Sequence, residues 1–202
     1  MSRLKILQEG ATYTFRSYFE LPNDTDEVLA EFSYEFARSR LQLPKTACQL
    51  PSLPQLQQQL EETIPYVTLS SEAAKREVLI APVLTRVAVT CRRLLRIEYP
   101  LKINQQLQGN LDYYIESERG LVVVEAKRDD MTRGFTQLAV ELIALSMLRE
   151  ELEVLYGAVT MGDVWAFGKL ERSPFLITRD MGSYTLPNDL EELVKILVGI
   201  LE

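Results

Sequence analysis

The order of apolar and polar positions predicts alternating strands and helices along most of the chain. The most strand-like run is 121–127, Leu-Val-Val-Val-Glu-Ala-Lys. Because side chains alternate along a strand, Glu125 and Lys127 share one face with Val123, and the remaining residues take the other face. Both faces are apolar until the end of the run, which is typical of a central, buried strand. Charged groups at the end of such a strand need either partners or a function.

A fold class follows from the other periodic segments. The patterns predict strands at 11–21, 93–103, 107–117 and 154–160, a hairpin over 165–178, and helices from 23–26 to about 41, from 70 to about 89, over 133–151 and over 188–201. The segment 43–65 is predicted to be a packed connector with a short helix. We expect a single α/β domain, with an N-terminal strand and helix elaboration over 1–69, a core over 70–165, and a C-terminal hairpin and helix over 166–202. The last helix is expected in the core or at a dimer interface.

A tight hairpin joins the strand predicted at 107–117 to the run 121–127. Its turn ends at Gly120, and glycine supplies the positive φ that such turns favour. If residues 118 and 119 form the turn, Asp112 lies directly opposite Glu125, with Cβ atoms roughly 5 Å apart, a separation that suits two carboxylates sharing one cation. A bulge at Gly120 would shift this pairing by one residue, so both registers remain open.

The amino-acid composition excludes several classes of enzyme. The 202 residues include no histidine, so a Ser-His-Asp triad, a His-ligated zinc site and an imidazole base are excluded within one chain. The nine glycines form neither a G-x-x-x-x-G-K-[ST] loop nor a G-x-G-x-x-G loop, which argues against nucleotide-driven motors and dinucleotide enzymes. The two cysteines are isolated and too few for a metal cluster. Two carboxylates and an amine on one sheet face remain, a set that can hold a divalent metal beside a phosphodiester.

The charge of the chain is acidic and unevenly distributed. The net charge is −7, which repels nucleic acid at long range, but residues 71–135 carry +2. The basic residues of this central part could follow a phosphate backbone or could simply form a solvated helix face and strand edge. Nine of the eleven basic residues in this part are candidates for such contact: Lys75, Arg76, Arg86, Arg92, Arg93, Arg96, Lys102, Arg128 and Arg133. A net-acidic protein that acts on a phosphodiester would need a protein partner, a homodimer or a tethered target.

Location is the least specific inference from the sequence. The first nine residues lack the long apolar stretch of a signal peptide, and no apolar run approaches the ~20 residues that cross a bilayer. We expect a cytoplasmic protein without a membrane partner.

Asp112, followed after twelve residues by Glu125-x-Lys127, resembles the motif of the PD-(D/E)XK nuclease superfamily. The resemblance covers roughly residues 70–165. The segment 71–84 looks like the helix that opens the nuclease domain of type I restriction motor subunits, and 156–165 is similar to the strand that follows the second helix in that group. Two positions depart from the pattern: Leu111 stands where the motif has proline, and Glu141 stands where the helicase-linked branch has tyrosine.

The resemblance implies a restriction-endonuclease-like αβββαβ core and a magnesium or manganese site. The metal ligands would be Asp112, Glu125 and the backbone carbonyl of Ala126, with Lys127 beside the attacked phosphate. Glu72 and Gln137 match the positions of the supporting acidic and glutamine residues. Among the basic residues, those nearest the motif and expected to bind nucleic acid are Lys75, Arg76, Arg128 and Arg133.

Three hypotheses follow for function. The first is a Mg²⁺-dependent nuclease that hydrolyses DNA by metal-activated water, with RNA not excluded as substrate. The second is a catalytically weak or inactive relative that binds metal or nucleic acid as a regulatory module. The third is a structural dimerisation protein, which would expose the apolar face of its last helix. The hypotheses differ in whether Asp112, Glu125 and Lys127 converge within reach of one cation.

Overall fold

The computed structural model describes residues 5–118, 120–127 and 129–202, and within them it forms an α/β structure with one open, mixed sheet flanked by helices. The helices are α1 (Phe15–Glu20), α2 (Thr25–Ala30), α3 (Leu53–Thr63), α4 (Glu72–Lys75), α5 (Ala81–Cys91), α6 (Met131–Leu148) and α7 (Leu190–Leu201). The strands are β1 (Glu35–Ser39), β2 (Leu95–Lys102), β3 (Gln108–Glu116), β4 (Leu121–Ala126), β5 (Val154–Thr160), β6 (Val164–Glu171), β7 (Leu176–Asp180) and β8 (Tyr184–Thr185). A 3₁₀ turn, Ile64–Tyr66, follows α3, and a π-helical turn, Arg76–Ile80, joins α4 to α5.

The strand order is β1-β7-β6-β5-β4-β3-β2, and β8 pairs with β6. Two pairs are parallel, β4 with β5 and β1 with β7, and the others are antiparallel. Parallel neighbours need a long crossover, and α6 is the crossover between β4 and β5. The strands β1, β4, β5 and β7 therefore all end at one side of the sheet, which we call the carboxyl edge.

Helices cover both faces of the sheet, as expected for a sheet with apolar residues on each side. One core packs α1, α2 and α6 on the face that carries Val123. The other packs α3, α5 and α7 on the face that carries Val122 and Val124. Alternation along β4 thus divides its side chains between two hydrophobic cores, as a central strand requires. We call the first of these faces the α6 face.

Most of the predicted core elements are confirmed. The strands expected at 93–103, 107–117 and 154–160 correspond to β2, β3 and β5, and the helix expected over 133–151 is α6. The hairpin register is also confirmed, because Tyr113 pairs with Val124 and Tyr114 pairs with Val123. The first core helix begins at the cap Ser71, whose hydroxyl accepts a hydrogen bond from the backbone N–H of Ala74. It changes to a π-helical turn just before Pro82, which cannot donate a helical hydrogen bond.

Two predictions in the N-terminal part are wrong. The segment 11–21 is not a strand, because it contains α1, which begins after a capping box formed by Thr14 and Ser17. The helix predicted to continue to about 41 ends at Ala30, and Phe36 lies instead in β1. The cause is tertiary, since β1 gains its ladder hydrogen bonds from β7, near the other end of the chain.

The terminal helix α7 belongs to the core. Eight apolar residues of this helix, from Leu190 to Leu201, are buried, and the helix packs against α5 and the strands β4 and β8. This burial removes the exposed apolar face that the dimerisation hypothesis requires of this helix. No helix within the described residues combines the length and the apolar character that crossing a membrane requires.

Replacing Leu197 by Ala tests the role of α7 in the core. Leu197 is fully buried, so the substitution is expected to lower the free energy of unfolding by about 2–5 kcal/mol through lost burial and a residual cavity. Urea unfolding measures the change, and Glu191→Ala, on the exposed side of the same helix, is the matched control with an expected change of about 0.5 kcal/mol or less. Equal effects of the two substitutions would contradict a core position for α7.

Candidate functional site

Asp112 and Glu125 lie on neighbouring central strands near the carboxyl edge. The observed β3–β4 register, continued by one residue pair, places them opposite each other on the α6 face. One carboxylate oxygen of Asp112, Oδ2, accepts a hydrogen bond of 2.9 Å from the backbone N–H of Ala126. This hydrogen bond fixes the Asp112 side chain against the end of β4. It lies beside the backbone carbonyl of Ala126, which the resemblance implies as a metal ligand.

Lys127 bends back toward the same carboxylates. Its Nζ lies 2.5 Å from Oε1 of Glu125, and the Lys127 side chain is 14% exposed. The ammonium also lies 4.7 Å from the centroid of the Phe19 ring on α1. A Cβ at Gly134 would lie 2.9 Å from Cγ of Lys127, so glycine in the first turn of α6 makes room for the lysine side chain.

Gln137 and Glu141 face the sheet from α6, one helical turn apart. Nε2 of Gln137 donates a 2.9 Å hydrogen bond to Oε1 of Glu141. Both residues are buried, at 4% and 0% exposure, and Glu125 is 1% exposed. Within the described residues, three buried oxygens have no hydrogen-bond donor: Oε2 of Glu125, Oε1 of Gln137 and Oε2 of Glu141. Such a cluster of acceptors calls for a proton or a cation, because buried acceptors without a partner are costly.

The carboxyl groups of Glu125 and Glu141 are close enough to share a hydrogen bond. Burial, followed by the charge of Asp112, raises the pKa of Glu125 to about 7. Burial and the charge of Glu125 raise the pKa of Glu141 well above its usual range. The protonated form of Glu141 is therefore favoured, and its proton is donated toward Glu125. That proton satisfies one oxygen of each carboxyl group.

Burial and neighbouring charges also shift the pKa values of Lys127 and Asp112. Burial by itself lowers the pKa of Lys127, but the ion pair with Glu125 outweighs it and the pKa is raised. Burial raises the pKa of Asp112 above its usual value, against the opposing effects of the Ala126 N–H and the Arg76 charge. The site is thus a partly desolvated cluster in which each carboxyl group is balanced by a neighbouring donor.

Arg76 occupies the outer side of Asp112. In the π-helical turn, its guanidinium lies 3.5 Å from Oδ1 of Asp112 and 2.7 Å from Oε1 of Glu98 on β2. Its Nε donates to the Tyr113 hydroxyl, and the guanidinium lies over the Tyr113 ring. Glu98 has a left-handed φ of 51°. A non-glycine residue rarely adopts this conformation within a strand.

The remaining sequence-predicted residues lie at varying distances from this cluster. Glu72 is half-buried in the first turn of α4, and within the described residues no hydrogen bond or ion pair joins it to Asp112 or Glu125. Lys75 packs beside Gly162, at the end of β5. Arg133 is exposed in the first turn of α6 and forms an ion pair with Asp130. Arg128 lies outside the described residues.

The structure adds three residues that sequence reasoning did not assign to the site. Glu141 was recognised only as a departure from a family pattern, yet its carboxyl group contacts Glu125. Phe19 comes from the N-terminal segment, and Glu98 comes from the edge strand. The sequence carries no local signal for the last two, because their roles arise only when distant elements pack together.

The donor set suits a hard divalent cation only with help from water or substrate. Among the described residues, no group of three or more His, Cys, Asp or Glu side chains is arranged to hold a metal ion. The available ligands are the carboxylates of Asp112 and Glu125 and the backbone carbonyl of Ala126. Magnesium keeps several waters and accepts one or two carboxylates plus substrate oxygens, so these ligands fit its needs.

Comparison with known proteins leaves these residues as the basis for assigning a function: the chain matches no protein-family model and no curated protein sequence.

Because the pKa of Glu141 is raised on folding, the stability of the protein is expected to depend on pH. The unfolded carboxyl group ionises near pH 4.5, whereas the folded one keeps its proton well above that value. The stability that this proton supports is fully present below about pH 4.5 and is lost as pH rises toward the folded pKa. Glu141→Gln keeps an acceptor for Gln137 and removes the titration. The free energy of unfolding of this variant, relative to that of the parent, should therefore rise by about 1.4 kcal/mol per pH unit above pH 4.5, up to the folded pKa of Glu141.

Urea unfolding at several pH values, in EDTA, measures this difference. Glu62→Gln on the exposed side of α3 is the matched control for the loss of one carboxyl group, and its free energy of unfolding should differ from that of the parent by about 0.5 kcal/mol or less. A constant difference between Glu141→Gln and the parent would contradict a protonated Glu141 in the folded protein.

Proposed function

We propose that the chain is a Mg²⁺-dependent nuclease of the PD-(D/E)XK type, with Mn²⁺ as an alternative metal and DNA as the expected substrate. The observation that carries the proposal is the meeting of Asp112, Glu125 and Lys127 on one face of two adjacent central strands. The succession α5, β2, β3, β4, α6 and β5 also supports it, because the resemblance implies an αβββαβ core. Oε1 of Gln137, a buried acceptor that has no donor within the described residues, adds a local demand for positive charge.

Each residue has a role in this proposal. Asp112 and Glu125 hold the metal with the carbonyl of Ala126, and the Ala126 N–H orients the Asp112 carboxylate. Bound magnesium makes its water easier to deprotonate and offsets charge on the phosphoryl oxygens. Lys127 places its ammonium beside the attacked phosphate, where it stabilises developing negative charge. Gln137 and Glu141 support Glu125 from α6. Glu72 remains a candidate for a supporting position farther from the metal.

A second candidate is a catalytically weak or inactive protein of the same type that binds metal or nucleic acid as a regulatory module. Two ion pairs favour it: Lys127 with Glu125, and Arg76 with Asp112. Each places a protein cation on a carboxylate that the metal needs. Cleavage therefore requires that metal and substrate compete successfully with both side chains, and a protein in which they fail would bind without cutting.

Substitutions of Asp112 and Lys127 distinguish these functions. Asp112→Asn keeps an acceptor for the Ala126 N–H and removes one negative charge, so Mn²⁺ affinity should fall by about tenfold or more and cleavage should be lost. Lys127→Met should keep Mn²⁺ binding within a few-fold and lower turnover on the order of 100-fold. Calorimetric titration with Mn²⁺ and cleavage of plasmid and oligonucleotide substrates measure the two properties.

The control and the pH of the assay matter for Lys127. Without its ammonium the Glu125 carboxyl group is harder to ionise, so the assays are run at pH 8.5 as well as pH 7.5. Lys195→Met is the matched control, because Lys195 also pairs with a glutamate but lies on α7. Metal binding without cleavage by the parent would support the regulatory module. No metal binding by the parent would remove both candidates.

A further inference from the structure

Two arginines lie side by side at the carboxyl edge, outside the cluster described above. Arg38 on β1 and Arg179 on β7 are register partners in a parallel pair. Like charges placed directly opposite each other on neighbouring strands are destabilising. Within the described residues neither arginine forms an ion pair with a carboxylate, although the charge of Asp130 offsets part of the repulsion that Arg38 exerts on Arg179. We call these two residues the Arg38–Arg179 pair.

Aromatic rings hold both guanidinium groups in place. The rings of Phe36 and Phe135 lie 5.9 Å apart on the α6 face. The guanidinium of Arg38 is 5.6 Å from the Phe36 ring centroid, and that of Arg179 is 5.4 Å from the Phe135 ring centroid. Cation–π contacts of this kind reduce the conformational freedom of the arginine side chains while leaving their N–H donors available.

A glycine makes this stacking possible. Gly168 on β6 is the register partner of Arg179, and a Cβ at Gly168 would lie 2.7 Å from Cε2 of Phe135. The Phe135 ring therefore lies directly over the glycine backbone, within reach of Arg179. Nη1 of Arg179 also lies 3.4 Å from Oγ1 of Thr132, in the first turn of α6. The pair is a preformed arrangement of donors, in contrast to two freely moving surface side chains.

The position of the pair relates it to Asp112, Glu125 and Lys127. Phe36 and Phe135 belong to the core on the α6 face, which is also the face of Glu125. Both β7 and β4 end at the carboxyl edge, and two strands, β6 and β5, separate them. By register, Arg179 lies in one row with Gly168, Gly157 and Val123, so three strand spacings of ~4.8 Å put it about 14 Å from Val123, which precedes Glu125 by two residues. Arg38 lies one strand spacing farther away. A separation of about 14 Å corresponds to about four nucleotide steps along a nucleic-acid strand.

We propose that the Arg38–Arg179 pair binds the phosphodiester backbone of a nucleic acid and positions the strand whose phosphate enters the Asp112, Glu125 and Lys127 cluster. The proposal rests on the proposed nuclease function for the second part of this statement, but backbone binding itself does not depend on cleavage. An anion shared by the two guanidinium groups would offset their mutual repulsion, and arginine forks match phosphate oxygens in geometry. The N-terminal strand β1 would thereby contribute to substrate binding.

Binding is tested without metal, so that cleavage cannot interfere. Fluorescence anisotropy of labelled 16-nucleotide single strands and duplexes, of DNA and of RNA, is measured with the full chain in EDTA at several salt concentrations. Arg38→Gln and Arg179→Gln should each weaken binding about 5- to 10-fold at low salt, and the double variant about 30-fold or more. Each substitution should also reduce the slope of log affinity against log salt by about one.

Arg93→Gln is the matched control. The sequence admitted Arg93 as a candidate for backbone contact, but the structure places it, exposed, before β2, whose first residues lie at the edge of the sheet opposite the carboxyl edge. Its substitution removes the same charge and should change affinity less than twofold. Thermal unfolding confirms that all variants are folded. Poly-glutamate of similar length serves as a competitor, and it should displace the oligonucleotide poorly because it lacks phosphate groups.

The outcomes separate this proposal from the nuclease proposal. Loss of binding in the arginine variants, with no cleavage by the parent under any metal condition, would support the pair and remove the nuclease. The pair would be rejected by equal effects of Arg93→Gln and the double variant, by equally effective competition from poly-glutamate, or by failure of the parent to bind any oligonucleotide at low salt. Preference between DNA and RNA in the first experiment identifies the natural class of backbone.

Discussion

The burial of charged side chains beneath α6 is the constraint on which the site depends. The strands β4 and β5 are parallel, so the chain between them crosses one face of the sheet as α6. This crossover covers Glu125, whose charge is then removed from water. Lys127 and a protonated Glu141 are the partners that make this burial tolerable. The helix that raises the free-energy cost of ionising these carboxyl groups also keeps them close together and oriented.

The sequence contains enough information to locate the central part of this arrangement. Alternation in 121–127 assigns Glu125 and Lys127 to one face. A two-residue turn before Gly120 is one of two registers that the sequence allows, and it is the one that the structure has. Both inferences depend on local geometry, which sequence reports well. The i,i+4 spacing of Gln137 and Glu141 likewise places them on one stripe of a helix, and the structure shows that this stripe faces the sheet.

Contacts between distant elements account for what the sequence could not predict. Phe19 reaches Lys127 only because α1 packs on α6, and Glu98 reaches Arg76 only across β2 and the π-helical turn. The misassigned segment around α1 is six residues long, and β1 is five, lengths at which periodicity is ambiguous. The sequence does contain a signal of close packing in two glycines inside regular elements. Gly134 in α6 and Gly168 in β6 each leave room for the side chain of a neighbouring residue.

The pairing of β1 with β7 has a consequence for the order in which the molecule is completed. The two strands lie near opposite ends of the sequence, so their contact closes one of the longest loops in the fold. During synthesis, β1 leaves the ribosome long before β7 has been made. Its backbone N–H and C=O groups therefore have no partner from β7 until most of the chain has been synthesised. The residues of the acidic cluster, from Arg76 to Glu141, are all synthesised before β7, whereas the outer edge of the sheet is added last. The nascent chain therefore contains every residue of its acidic centre before it can pair the two arginines.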